Sequence, residues 1–431
     1  MAKTFRPYDP DQMLLMPPSL ADWVPEDHLA RFVRDVVETL DVSAVEDVYT
    51  EERGYPPYDP RMMVTVLLYA YCTGTYSSRK IAAKLIDSVA FRFLAAGNQP
   101  DFRTISEFRR RHGAALAALF TQGLRLCRQA GLVKLGRVAI DGTKIKANAS
   151  KHKAMSYGRM RTQEAALEQE VHMLLQQAEA ADRAEDARHG REHRGDELPA
   201  ELARRESRLQ KIREAKAALE AEARAHAIAD GNPPDDAVPP DKAQRNFTDP
   251  EAKIQKTSDG FLQGYNAQIA VDAEAQIIVA QHVTPAAPDV QQLVPLVRAI
   301  TQGLRRKPRH VLADAGYWSE TNVAALDATD IEPFIATGRR KHSAPEPVAP
   351  RGRVPHALSV KERMARKLAT RRGHAIYARR KAIVEPVFGQ IKHARGFRQF
   401  LRRGLVRVQH EWALICLSHN LLKLYTARAG G

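Results

Sequence analysis

The chain has 431 residues, a mass of 48.1 kDa and a hydrophobic fraction of 44%, enough for two or three domains with sizeable cores. Lys and Arg number 66 against 51 Asp and Glu, a net charge of +15 and a pI near 9.7, which a polyanion partner explains and a small-metabolite enzyme does not need. Three distant cysteines (Cys72, Cys127, Cys416) argue against a disulfide scaffold and a Cys-based zinc module. No apolar run reaches the ~18 residues of a membrane span, and the opening MAKTFRPYDPDQ has no apolar signal core, so a cytoplasmic protein without a membrane partner is expected.

In chain order, residues 1–60 are rich in Pro and acids, with one helix near Asp27–Leu40. Arg61–Cys72 is apolar on all sides and predicts a buried helix. Ser77 and Ser78 are caps for a helix through Arg79–Ile86, and Thr104 with Glu107 forms a capping-box pattern ahead of the basic FRRRH. Residues 1–130 therefore predict an all-helical N-terminal domain, with helix-turn-helix geometry and plain helix packing as equal readings of Tyr76–His112.

Arg137–Asp141 (RVAID) is a short apolar strand ending in Asp-Gly. Residues 151–245 change character, with 17 basic and 19 acidic residues and much Ala. Leu202, Leu209, Ile212 and Leu219 keep heptad spacing for only about two heptads, so one or two long solvated helices are expected rather than a coiled coil. A hairpin follows, with Tyr265–Val271 alternating and Gln276–Val283 returning. Asp289 is placed to cap a helix that Pro295 could kink. His310–Ala313 is a strand ending at Asp314, Ser319 caps another helix, and Ile331–Ile335 is the last strand. Antiparallel strands followed by strand–helix alternation predict a mixed α/β sheet covered by helices.

The excess charge sits in one block: residues 338–408 hold 20 Lys and Arg against Glu346, Glu362 and Glu385. Ile383, Val384, Val387, Phe388 and Ile391 interrupt it, which favours a folded basic surface over a tail. Asp141 and Asp314 each end an apolar strand, and either alone reads as readily as a turn residue. Glu385, flanked by apolar residues in that cationic block, is a third candidate, with an ion pair to Lys381 or Lys392 as the structural alternative. Three carboxylates in a cationic surround suit phosphodiester chemistry with two Mg²⁺ ions. No GxxxxGK[ST] supports ATP hydrolysis.

Four ordered blocks, AIDGTKIKANAS, GFLQGYNAQIAVD, VLADAGYWSE and IVEPVFGQIKHARGFRQFLRRG, resemble bacterial insertion-sequence transposases of the DDE type, over Ala139 to about Gly404. The resemblance implies an RNase H-like core (131–150 and 246–425), a charged helical insertion after the first strand (151–245) and an N-terminal DNA-end-binding domain (1–130). It implies Asp141, Asp314 and Glu385 as the catalytic, metal-holding triad, Mg²⁺ with Mn²⁺ as substitute, double-stranded DNA (inverted-repeat ends and target) as partner, and a homo-oligomer on DNA. In the family's signature Y-x2-R-x3-E-x6-K, Lys392 takes the last position and Lys381 the Arg position, while Tyr377 falls one residue early. Lys144, Lys146, Arg380, Lys381, Lys392 and Arg395 are candidate phosphate contacts, and Trp318 is a core residue or a base-stacking one. Pro386 leaves two placements for Glu385, inside a continuous helix or at its N-cap. A catalytically silent DNA-binding derivative and an RNase H-like nuclease without strand transfer are the competing functions.

Overall fold

A computed structural model describes residues 19–49, 57–189, 200–257, 260–338 and 349–429. The first segment, 1–18, lies outside them. Among the described residues a 3-10 turn (Leu20–Trp23) and then seven α-helices come first: α1 (Leu29–Thr39), α2 (Ser43–Glu46), α3 (Pro60–Cys72), α4 (Ser78–Asp87), α5 (Val89–Leu94), α6 (Phe102–Arg111) and α7 (Gly113–Gln129). Pro60 stands at the first position of α3, where its missing N–H costs nothing, and Asp59 caps the helix through the Met62 amide. The capping box expected at Thr104 is displaced by one turn. Asp101 caps α6 by accepting from Thr104 N at 2.7 Å, and Glu107 pairs with Arg110 instead. Ser77 is the N-cap of α4 but makes no side-chain cap bond, and Ser78 bonds Arg109.

β1 (Arg137–Lys146) runs straight through Asp141-Gly142, so the expected turn is absent. After the short strand β2 (Ala154–Ser156), helices α8 (Tyr157–His189) and α9 (Ala200–Ala229) form an antiparallel pair, closed by β3 (Gln244–Asn246), which pairs with β2. Leu209, Ile212 and Leu219 pack on Tyr157, Met160 and Leu167, a small core separate from the main one, with Arg213 and Lys216 reaching Glu164 across the pair. Leu202 lies outside the described side chains.

The main sheet continues with β4 (Lys253–Thr257), β5 (Gly260–Asp272), β6 (Ile278–Thr284), β7 (His310–Ala313) and β8 (Glu332–Ile335), with α10 (Leu293–Leu304) and α11 (Glu320–Asp327) between the later strands. β5 is antiparallel to β1 along one side and to β4 and β6 along the other; β7 is parallel to both β1 and β8. Pro295 sits in the first turn of α10, where a ring is tolerated. Ser319 caps α11 through Asn322 N.

The last third is helical: α12 (Val360–Ala369), α13 (Arg371–Ala378), α14 (Arg380–Gly389), a π-helical turn (Gln390–Ala394) and α15 (Leu405–Ala429). Pro386 lies inside α14, which settles the placement of Glu385 within the helix rather than at its N-cap. Proline leaves the Ala382 carbonyl without its helical donor, and the Gln276 side chain supplies one at 3.0 Å. Gln276 itself turns the β5–β6 hairpin with φ 57°. α15 carries Trp412, Leu414, Ile415 and Leu417 into a core shared with α3, α7 and the sheet. The N-terminal helices therefore pack into the same buried cluster as the strands. Among the described residues no helix is long and apolar enough to cross a membrane.

Candidate active site

β1 and β7 run parallel with Ile140 opposite Ala313, so the next residues, Asp141 in the middle of β1 and Asp314 just past the end of β7, stand side by side where the parallel pairing ends. β1 continues beyond this point without β7, which opens a crevice there. Crevices at strand carboxyl ends are where open α/β sheets bind ligands.

Side chains alternate across β1 and divide the surroundings in two. On the Asp141–Thr143 face lies α14. Arg380 Nη1 donates to Asp141 Oδ2 at 2.9 Å, and Lys392 Nζ, in the π-helical turn, donates to Thr143 Oγ1 at 2.8 Å. On the Gly142–Lys144 face lies a buried amide network. Gln268, opposite Gly142, donates to Asp289 Oδ1 at 2.7 Å, Asn266 donates to the same oxygen at 2.6 Å, and the Tyr317 hydroxyl bonds Gln268 Oε1. A Cβ on Gly142 would lie 2.2 Å from Gln268 Nε2, so only glycine lets the amide cross β1 here. The Asp-Gly pair thus belongs to the site rather than to a turn. A Cβ on Gly316 would lie 3.0 Å from Asp314 Oδ1 and 3.3 Å from Asp289 Oδ2, which places both carboxylates around one bare backbone position.

The electrostatics follow from this packing. The Asp141 side chain is 22% exposed. Burial, with the Asp314 charge beside it, holds its pKa above the ordinary value, and Arg380 opposes them. Burial lowers the Lys144 pKa against the pull of Asp289, 3.6 Å away; Lys144 Nζ also donates to Ala287 O. Burial raises the Tyr377 pKa, and its hydroxyl lies against Arg380.

The sequence-derived residues divide. Asp141, Asp314, Lys144, Arg380 and Lys392 surround the crevice. Lys146 and Lys381 are exposed. Arg395 is 8% exposed, bonded to Ser418 Oγ and stacked over Phe397, with burial lowering its pKa to about 10, so it offers no surface to a DNA backbone. Arg380, not Lys381, meets Asp141; Tyr377 and Arg380 keep the Y-x2-R spacing, and one extra residue separates Arg380 from Glu385. Glu385 is exposed and makes no hydrogen bond or ion pair among the described residues. Trp318 packs half-buried against the core. Asn266, Gln268, Asp289 and Tyr317 were not anticipated. Their signal is two amides at alternate positions of an otherwise apolar strand, YNAQIAV. Asp289, expected as a helix cap, makes no cap bond and turns into the network.

Asp141 and Asp314 are hard oxygen donors and suit a hard divalent cation. The set stops at these two: among the described residues no group of three or more His, Cys, Asp or Glu is placed to hold a metal.

Two family models match this chain. The first, a transposase domain of the type named DUF772, covers residues 18–111, and the second, a transposase DDE domain, covers 238–421, together more than half of the sequence. The chain belongs to the DDE-type transposases of insertion sequences. A curated relative from Burkholderia cepacia, provisionally named as the transposase for insertion sequence element IS402, is 39% identical over 87 residues. That alignment covers 19% of the chain and 41% of the relative, so the chain spans about two fifths of the length of the relative it matches. No solved structure matches the chain significantly. The DDE match includes Asp314, Glu385 and the amide network and begins after Asp141.

Proposed function

We propose that this transposase binds the inverted-repeat ends of an insertion sequence as double-stranded DNA, cuts them and joins them to target DNA. The observation that carries this reading is the adjacency of Asp141 and Asp314 at the open ends of a parallel strand pair, with cationic side chains on both faces. The order β6-β5-β1-β7-β8, with the first three antiparallel and the last two parallel to β1, supports an RNase H-like core. In that reading residues 1–130 hold the DNA end, 151–245 form an insertion, and the chain works as a homo-oligomer on DNA.

DDE domains in general work with divalent metal ions. Asp141 and Asp314 would hold Mg²⁺, or Mn²⁺ in its place, with Glu385 joining them from α14. An ion held there would supply Lewis acidity at the scissile phosphate. In the first step water attacks phosphorus at the element end; the P–O3′ bond breaks, and the strand leaves with a free 3′-hydroxyl. In the second, that hydroxyl attacks a target phosphodiester, forming one P–O bond as another breaks. Lys392, held at Thr143, and Lys144, held at Asp289, place positive charge on both sides of the crevice to receive the DNA backbone. Gln268, Asp289 and Tyr317 fix the floor on which Asp314 stands.

The test is cleavage of a labelled duplex carrying the element's own end, with wild type and Glu385→Gln compared in Mg²⁺. Nicking at the boundary by wild type alone supports the assignment. Equal nicking by the variant removes Glu385 from the site, and binding without cleavage by wild type in Mg²⁺ and Mn²⁺ favours the silent DNA-binding reading.

A further inference from the structure

Beyond Asp141, β1 carries Lys144 and then Lys146 on the same face. Lys146 opens onto a groove of about 660 Å³ that also takes in Lys151, Lys153, Arg403 and Phe261. No Asp or Glu lines it. The four cations are solvent-exposed, and Phe261, at the start of β5, is 64% exposed.

The groove is built rather than incidental. Segment 398–403 is fastened along β1. Lys146 N donates to Arg398 O, Phe400 N to Lys146 O at 2.8 Å, and Gln399 Nε2 to Ala147 O. Arg403 Nε donates to Asn148 O at 2.8 Å, and Asn148 Nδ2 returns to Leu401 O. From below, the buried Glu411 carboxylate accepts from Leu401 N and Arg402 N. Across the groove, Lys151–Lys153 form a 3-10 turn capped by Ser150 and tied by Asn246 to Ser150 O. The backbone that carries the cations is therefore fixed, the Arg403 side chain is held by Asn148 O, and no acidic residue lines the groove to neutralise them.

We infer that this groove binds single-stranded DNA, with its phosphates on Lys146, Lys151, Lys153 and Arg403 and one unpaired base stacked on Phe261. A basic track with an exposed aromatic ring is the composition that holds single strands, because every base has a face to stack while the backbone supplies the charge. Five residues of strand separate Lys146 from Asp141, about 17 Å at 3.3 Å per residue. The groove therefore lies about 17 Å along β1 from the phosphate position at Asp141 and Asp314, with Lys146 on the opposite face of the strand from Asp141. The inference rests on the cleavage reading for that position, and on the groove alone for binding.

The experiment measures binding without divalent metal, so that cleavage plays no part. A fluorescein-labelled oligothymidylate of about 20 nucleotides, longer than the ~4–16 that one such site covers, is titrated against the full chain. A duplex of equal length is the comparison. Phe261→Ala weakens the single strand about tenfold and leaves the duplex unchanged, Phe261→Trp restores it, and Lys151→Glu with Lys153→Glu weakens it further. Unchanged single-strand affinity in Phe261→Ala or in the double variant overturns the inference, as does equal loss for both DNAs, which would make the occupant a duplex. Groove-dependent binding by a wild type that never nicks DNA supports the groove and removes the cleavage reading, so the two fail separately.

Discussion

Arg380 reaches across from α14 to donate to Asp141 Oδ2 at 2.9 Å, with both side chains largely buried. The guanidinium is the counter-charge that lets two neighbouring carboxylates, Asp141 and Asp314, stand together in the absence of metal. Arg380→Gln removes it. Without metal, the variant loses about 1.5–3 kcal/mol, the usual worth of a hydrogen bond to a charged group. Urea unfolding measures this, and added Mn²⁺ restores more stability to the variant than to wild type, because the ion binds only the folded pair. Equal metal-free stability would contradict the role.

Gly142 faces Gln268 so closely that a methyl group has no room. The amide cannot retreat, since Asp289, Asn266 and Tyr317 hold it. Gly142→Ala costs about 1–3 kcal/mol by overpacking. In a Gln268→Ala background most of that cost disappears, because the clashing group is gone. Denaturant midpoints of the four proteins check the coupling; additive losses would count against it.

His419 lies buried in α15, its Nε2 2.9 Å from Gln276 O, and burial with Arg395 nearby lowers its pKa to about 3. The unfolded chain takes up a proton near pH 6.5 and the folded chain does not until about pH 3. Stability is therefore full above pH 6.5 and falls as the pH drops through that window. Between pH 6.5 and 5 the loss from this one group is about 2 kcal/mol. His419→Gln flattens the fall by that amount, measured by urea unfolding at both pH values. An equally steep fall in the variant would show that other groups carry it.

Much of the site was legible because its signal is local. Asp141 and Asp314 each follow a short apolar run, and the β5–β6 hairpin alternates in sequence, so strands and carboxylates could be read together, although β1 continues past Asp141 to Lys146. What escaped is tertiary. Asp289 looked like a cap because Asp before a helix usually is one, yet Asn266 and Gln268 compete for it from a strand distant in sequence. Pro386 left two placements for Glu385 because nothing local shows that Gln276 will take up the Ala382 carbonyl. Arg395 looked like a phosphate contact because a basic run is usually solvated, whereas the turn at Gly396 folds it beneath α15. The alignment of Lys381 with the family's Arg followed residue counting. In the structure it is Arg380, one residue earlier on the same helix, that meets Asp141.

The most direct test is nicking of a labelled element end in Mg²⁺ by Asp314→Asn beside wild type. Asparagine keeps an oxygen to accept from Gly316 N, the bond Asp314 makes at 2.8 Å, so the turn after β7 survives and the charge alone is lost. The account predicts wild-type affinity for the DNA end and cleavage reduced by roughly a hundred- to a thousandfold, the scale on which electrostatic stabilisation at a transition state is lost. Cleavage by Asp314→Asn at the wild-type rate would contradict it.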